Sequence, residues 1–193
     1  MSDIVPARGR QLTSEAATQA LNTKQYLTFM LGGEVFAIGI LSIKEIIEYT
    51  GLTEVPLMPA CIRGVINLRG AVVPVLDLAV RFGKHPSDVT KKTCVVIVEV
   101  NTGEERHVMG VVVDAVNAVL KIAASEIEPP PGFGAKIRND FIEGMGKVNG
   151  KFVILLNVNQ VLSTEEIGAL ARAEDAGAEQ LEAAQDAPAL SAS

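Results

Sequence analysis

The sequence predicts a mostly β protein, folded as small barrels or a sandwich. Three observations point there. The middle of the chain is a string of short apolar runs dominated by Val, Ile and Leu. Stiff β-branched side chains pack well on a pleated sheet. Gly, Pro and Asn separate the runs at short intervals, as expected where strand follows strand. Aromatic residues make up only 4% of the chain and Trp is absent, so the core must be aliphatic. At 193 residues with 48% hydrophobic content, the chain suits one ordinary domain or two small barrels sharing a core.

The elements follow in order. Tyr26 to Leu31 forms a strand, Gly32-Gly33 a hairpin turn, and Val35 to Ile38 the returning strand. Ile43 to Glu48 fits a helical turn or a strand equally well. Pro56 and Pro59 break the chain, with one helical turn possible over residues 59–62. Residues 64–70 give a strand and turn, and residues 71–76 a second strand, with Pro74 expected at an edge or bulge. Residues 93–100 are nearly all apolar and should be buried on both faces. A turn over 101–104, a strand over 108–113 and another over 116–122 follow. Three prolines at 129–131 make a stiff connector. Residues 141–148 and 151–156 flank Asn149-Gly150, the clearest hairpin signal, because Asn-Gly suits a type I′ turn. Ser163-Thr164-Glu165-Glu166 has a capping-box pattern, and a helix is expected from there to about residue 171. Residues 1–24 are expected as a flexible arm, residues 25–171 as the folded unit, and residues 172–193 as an acidic, Ala-rich flexible tail. The initial Met1 and the tail are expected of a free-standing protein.

Several function classes lose ground on these grounds. The net charge is −6 and Lys and Arg are scattered, so no basic stripe awaits nucleic acid. Cys61 and Cys94 stand far apart without a metal-ligand spacing and are expected as buried small hydrophobes. No secretory signal precedes the folded part and no apolar run is long enough to span a bilayer, which points to the cytoplasm and against membrane insertion. His85 and His107, the only histidines, lack a triad context, His85 in a loop and His107 on a solvent-side strand position. The glycines at 144, 146 and 150 lack dinucleotide-loop spacing and read as a hairpin. No catalytic residue, metal site or cofactor is expected.

The distinctive segment is RGVINLRGAVVPVLDLAVRFG at 63–83. Arg69 stands before Gly70 at a turn, facing outward, where a planar guanidinium can fork to a partner's carboxylate or carbonyls. A local ion pair with Asp77 or Glu45 is the competing assignment. This segment resembles the most recognisable stretch of the CheW family, the coupling proteins of bacterial chemotaxis. YLTFMLGGEVFAIGILSIKEII at 26–47, HVMGVVVDAVNAVL at 107–120 and FIEGMGKVNGKFVILLNVNQVL at 141–162 agree with the family in the same order.

The resemblance implies two five-stranded SH3-like barrels around a shared apolar core, with a C-terminal helix. It implies a scaffold without catalysis or cofactor. Its partners would be the cytoplasmic tip of methyl-accepting receptors and the regulatory domain of the histidine kinase CheA, at membrane receptor arrays. Carried over, the receptor groove would use Ile40, Ile43, Glu45, Ile46 and Arg69, with Val113 and Val116 from the second barrel as the other wall. Plain core is the alternative role for the three isoleucines. The kinase contact would use Leu57, Ile62, Gly64 and Val65; Arg63 and Cys61 carry no weight in it. A scaffold of the same kind in a non-flagellar chemosensory pathway is the alternative function.

Overall fold

The computed structural model describes residues 22–132 and 137–168. Of the expected arm over 1–24, residues 1–21 lie outside the described residues, whereas Thr23 and Lys24 already belong to the first strand, paired with Ala123 and Ile122; the expected tail over 172–193 lies outside the described residues. Among the described residues, eleven strands and two one-turn α-helices are named in chain order: β1 (Thr23–Leu31), β2 (Glu34–Gly39), β3 (Ile43–Glu48), β4 (Ile62–Leu68), β5 (Ala71–Asp77), α1 (Leu78–Arg81), β6 (Cys94–Thr102), β7 (Glu105–Val113), β8 (Ala115–Ala123), β9 (Ile127–Glu128), β10 (Ile142–Val148), β11 (Lys151–Leu156) and α2 (Val158–Val161), and residues 164–168 are helical as well. Residues 43–48 are thus a strand. Residues 59–62 make a hydrogen-bonded turn, Ile62 N–H to Pro59 O at 2.8 Å, rather than a helix.

Two sheets form, ordered β8-β1-β2-β11-β10-β9 and β3-β6-β7-β5-β4. Both curl on themselves. In the first sheet, the edge strands β8 and β9 are joined only by the 3-10 turn Ala124–Glu126. That link reaches about 14 Å at most, whereas the edges of a flat six-stranded sheet lie about 24 Å apart. The second sheet closes through Thr53 and Val65, whose backbones exchange hydrogen bonds of 3.0 and 2.8 Å. The predicted two-barrel, SH3-like architecture is observed, with the two-residue β9 making the first sheet six-stranded. The terminal barrel takes β1, β2 and β8–β11, and the central barrel takes β3–β7.

The barrels share one core. Along β6, Val95 and Ile97 point into the central barrel, while Val96, Val98 and Val100 point into the layer between barrels. Along β1 and β2, Tyr26 and Ala37 fill the terminal barrel, and Leu27, Phe29, Leu31, Phe36 and Ile38 face the same shared layer. This is the physical meaning of the nearly unbroken apolar run at 93–100. Cys61 is buried in the shared core; Cys94 is half-buried, its thiol donating to Lys92 O at 3.3 Å.

The two halves of the chain repeat. Ile62, Gly64, Gly70 and Asp77 recur at one constant spacing as Ile142, Gly144, Gly150 and Asn157. Asp77 caps α1 through Ala79 N–H, and Asn157 caps α2 through Gln160 N–H. β5 pairs in parallel with β7, and β11 with β2. Pro74 sits on an interior strand, not at an edge, because the ladder to β7 begins only at Val75 and asks nothing of the missing proline N–H. Of the capping box expected at 163–166 only half forms. Glu166 N–H reaches Ser163 Oγ at 3.5 Å, while the Glu166 carboxylate is taken by Arg81 and Arg138.

Closure of the central barrel depends on Gly64, where a Cβ would lie 2.6 Å from the Thr53 carbonyl oxygen. Gly64→Ala is expected to destabilise the fold by about 1–3 kcal/mol, read from the urea midpoint; an unchanged midpoint would show that the bridge opens at no cost. Tyr26, 1% exposed, donates its hydroxyl to Glu143 at 3.3 Å. Burial first, and then the Glu143 charge, push its phenol up to about 12. The folded state thus favours the neutral phenol, so stability is complete below the unfolded value of about 10 and falls as pH climbs from there to about 12. Alkaline unfolding of Tyr26→Phe should lack this loss; identical pH profiles would refute the assignment.

Candidate functional site

The chain passes between barrels at two places among the described residues. The 3-10 turn Ile40–Ser42 leads from β2 to β3, and Asp114 leads from β7 to β8. Asp114 is held to the β1–β2 hairpin, its N–H donating to Met30 O at 3.0 Å and its carboxylate accepting from Gly32 N–H at 2.7 Å. The candidate groove residues collect around these crossings. Ile43 and Val116 are half-buried and both lean on the shared core. Ile46 lies on the outer face of β3 and is 43% exposed. Ile40 lines a separate depression of about 510 Å³ with Tyr26, Lys121 and Glu143.

Val113 departs from this assignment. It is fully buried in the shared core, so it offers no surface to a partner and acts as packing. Leu41, beside Ile40, was not legible as a site residue and is 100% exposed. In the sequence it is one more aliphatic residue in Ile-Leu-Ser-Ile; only the 3-10 turn rotates it outward.

Arg69 and Glu45 are brought together, Nη2 to Oε2 at 3.1 Å, over a depression of about 270 Å³ lined with Leu68, Val73 and Val108. The Arg69 side chain is 80% exposed, and an ion pair so exposed contributes roughly 0–1 kcal/mol. Stability therefore does not explain it, and the backbone makes the point stronger. Arg69 has φ +52° at the first central position of the β4–β5 hairpin, and Gly70 follows at +85°. This is the type I′ turn, which favours Asn or Asp followed by Gly. The matching turn of the other barrel has Asn149 at +50° and Gly150 at +76°. Arginine thus occupies a left-handed position where the fold alone would place asparagine, and such strain collects where function demands the side chain.

Arg63, not Arg69, pairs with Asp77, at 3.2 Å. Asp77 is 1% exposed and also accepts from Ala79 N–H, Ser87 N–H and Ser87 Oγ–H. This network fastens the loop between α1 and β6, so Arg63 is structural.

The four candidate kinase-contact residues divide. Gly64 is buried and serves barrel closure, so it supplies no contact surface. Ile62 packs on the shared core, and Val65 carries the bridge to Thr53. Leu57 is different: it is 82% exposed and holds φ +60°. A strained, solvent-facing leucine serves neither packing nor backbone energy. Val55 and Met58 beside it are also exposed. His107 Nε2 lies 3.4 Å from Glu105 on the strand surface, and His85 sits on an exposed loop with Lys84 and Asp88. The site thus offers apolar relief edged by one guanidinium and one carboxylate, a surface for recognition.

Residues 25–166 match the family described as the CheW-like domain. A chemotaxis protein CheW of Klebsiella aerogenes is 35% identical over 144 residues, 75% of this chain and 84% of that protein. A probable chemotaxis protein CheW of Rhizobium etli is 33% identical over 152 residues, 78% of this chain and 96% of that one. The crystal structure of the scaffolding protein TtCheW from Thermoanaerobacter tengcongensis superposes with a TM-score of 0.65 at 33% identity, covering 72% of this chain and 86% of that one. With two interlocked barrels, a shared core and a family match over most of its length, this chain belongs to the CheW-like domain family.

Proposed function

We propose that this protein is a non-catalytic scaffold that couples methyl-accepting chemotaxis receptors to the histidine kinase CheA in the cytoplasm, at receptor arrays. The coupling unit is residues 25–171, widened by Thr23 and Lys24 of β1, and residues 1–22 and 172–193 are additions to it. The observation that carries the reading is Arg69, a strained and exposed arginine paired to Glu45 over an aliphatic depression lined by Leu68, Val73 and Val108. An amphipathic receptor helix would lay its apolar stripe against Leu41, Ile43, Ile46 and Val116. Arg69 and Glu45 would fix its register at the rim. The exposed Leu57, with Val55 and Met58, would meet the regulatory domain of CheA. The names of the relatives, chemotaxis proteins and a scaffolding protein, support the same reading. Among the described residues no helix is long and apolar enough to cross a membrane.

A binding assay with a receptor cytoplasmic fragment and the CheA regulatory domain tests it. Arg69→Asn places the turn-preferred residue at the strained position, so stability should hold or rise by about 0.5 kcal/mol. Receptor binding should nevertheless weaken while kinase binding stays. Leu57→Asp should do the reverse. Parent protein that binds neither partner, or variants that leave both affinities untouched, would sink the assignment.

A further inference from the structure

Beyond the two covalent crossings, polar contacts join the barrels, among them Lys84 to Glu34 at 3.3 Å and Asn101 N–H to Asn159 Oδ1 at 3.0 Å, and the most connected is an ionic cluster. Arg81 ends α1, which leaves the central barrel; its side chain is only 6% exposed. Its Nε–H donates to Val161 O on α2 of the terminal barrel at 2.9 Å, and its Nη2 donates to Glu166. Arg138, which leads into β10 of the terminal barrel, gives Glu166 two more bonds at 3.1 and 3.0 Å and also pairs with Asp140. The two guanidinium carbons stand 4.7 and 4.6 Å from the centroid of the buried Phe141 ring. One carboxylate is thus held by an arginine from each barrel, and hydrogen bonds from Arg81 and then Arg138 keep Glu166 below the usual carboxylate range.

Aliphatic contacts in the shared core are individually non-directional and hold the angle between the barrels only through their close packing. Forked guanidinium–carboxylate bonds are directional. From this staple a row of rings runs inward. Phe141, Phe82, Phe36 and Phe29 follow one another at centroid distances of 6.0, 5.7 and 6.2 Å. Phe29 pairs across the β1–β8 ladder with Val116, one wall of the groove.

We propose that Arg81, Arg138 and Glu166 are positioning residues that set the angle between the two barrels and thereby the width of the groove between Ile43 and Val116. The inference rests on the receptor-groove reading for its function, but its geometry can be tested alone. Glu166→Gln keeps the shape and removes the charge. Nitroxide labels at Val72→Cys and Val119→Cys, exposed positions on the central and terminal barrels, in a Cys94→Ser background, report the inter-barrel distance by pulsed electron resonance. Glu166→Gln and Arg138→Gln should broaden or shift that distribution while circular dichroism stays unchanged. The same variants should bind the receptor fragment about five-fold more weakly, with affinity for the CheA regulatory domain within about two-fold of the parent. An unchanged distance distribution would overturn the proposal, as would equal loss of both affinities. If the parent itself fails to bind the receptor fragment, the groove reading falls, and the label distances alone decide the staple.

Discussion

Everything in this fold depends on two hairpins that are buried on both faces. β1–β2 and β6–β7 each form part of a barrel wall, and their outer sides meet in the layer between barrels. A strand in that position has no solvent side, so both sets of alternating residues must be apolar. Val95 to Val98 satisfy this with four consecutive buried aliphatic residues. The layer between the sheets is mainly Val, Ile and Leu, with Phe29, Phe36 and Phe141 buried among them. The same constraint ties the barrels into one body. Neither could separate without exposing Phe29, Phe36, Val96, Val98 and Val111 to water.

With the interior committed in this way, recognition falls to the surfaces the hairpins leave free. These are the crossings between barrels, the β4–β5 turn and the long connection from β3 to β4. Two residues there adopt left-handed backbone that their side chains disfavour, Arg69 and Leu57. Each is well exposed, and each displays what a partner surface needs, a forked cation in one case and an apolar knob in the other. They sit in different parts of the central barrel wall, Arg69 in the β4–β5 turn and Leu57 in the connection before β4. An adaptor requires two such surfaces on one rigid body, which matches the proposed role.

Much of this was legible in the sequence. Gly32-Gly33 and Asn149-Gly150 marked hairpins through local turn chemistry, and the run at 93–100 announced a doubly buried strand. The family resemblance supplied the pairing of barrels, which no local pattern carries. What stayed hidden has a common cause. Where both faces of a strand are buried, alternation disappears, so Val113 could not be told from a groove wall although it is sealed in the core. The parallel pairs β5–β7 and β2–β11 join distant segments and leave no mark on either, so Pro74 looked like an edge residue. Gly64 looked like part of a contact surface because its close approach to Thr53 depends on a segment eleven residues earlier in the chain. Glu166 fitted a capping box, but two arginines compete for its carboxylate and win, since charge-assisted bonds are roughly twice as strong as neutral ones.

The central claim is that one rigid body presents two separate surfaces to two partners at once. Sedimentation velocity on a mixture of this protein, a receptor cytoplasmic fragment and the CheA regulatory domain tests it most directly. The account predicts a ternary complex heavier than either binary one, in which adding the second partner does not displace the first. Mutually exclusive binary complexes would place both partners on one surface and contradict it.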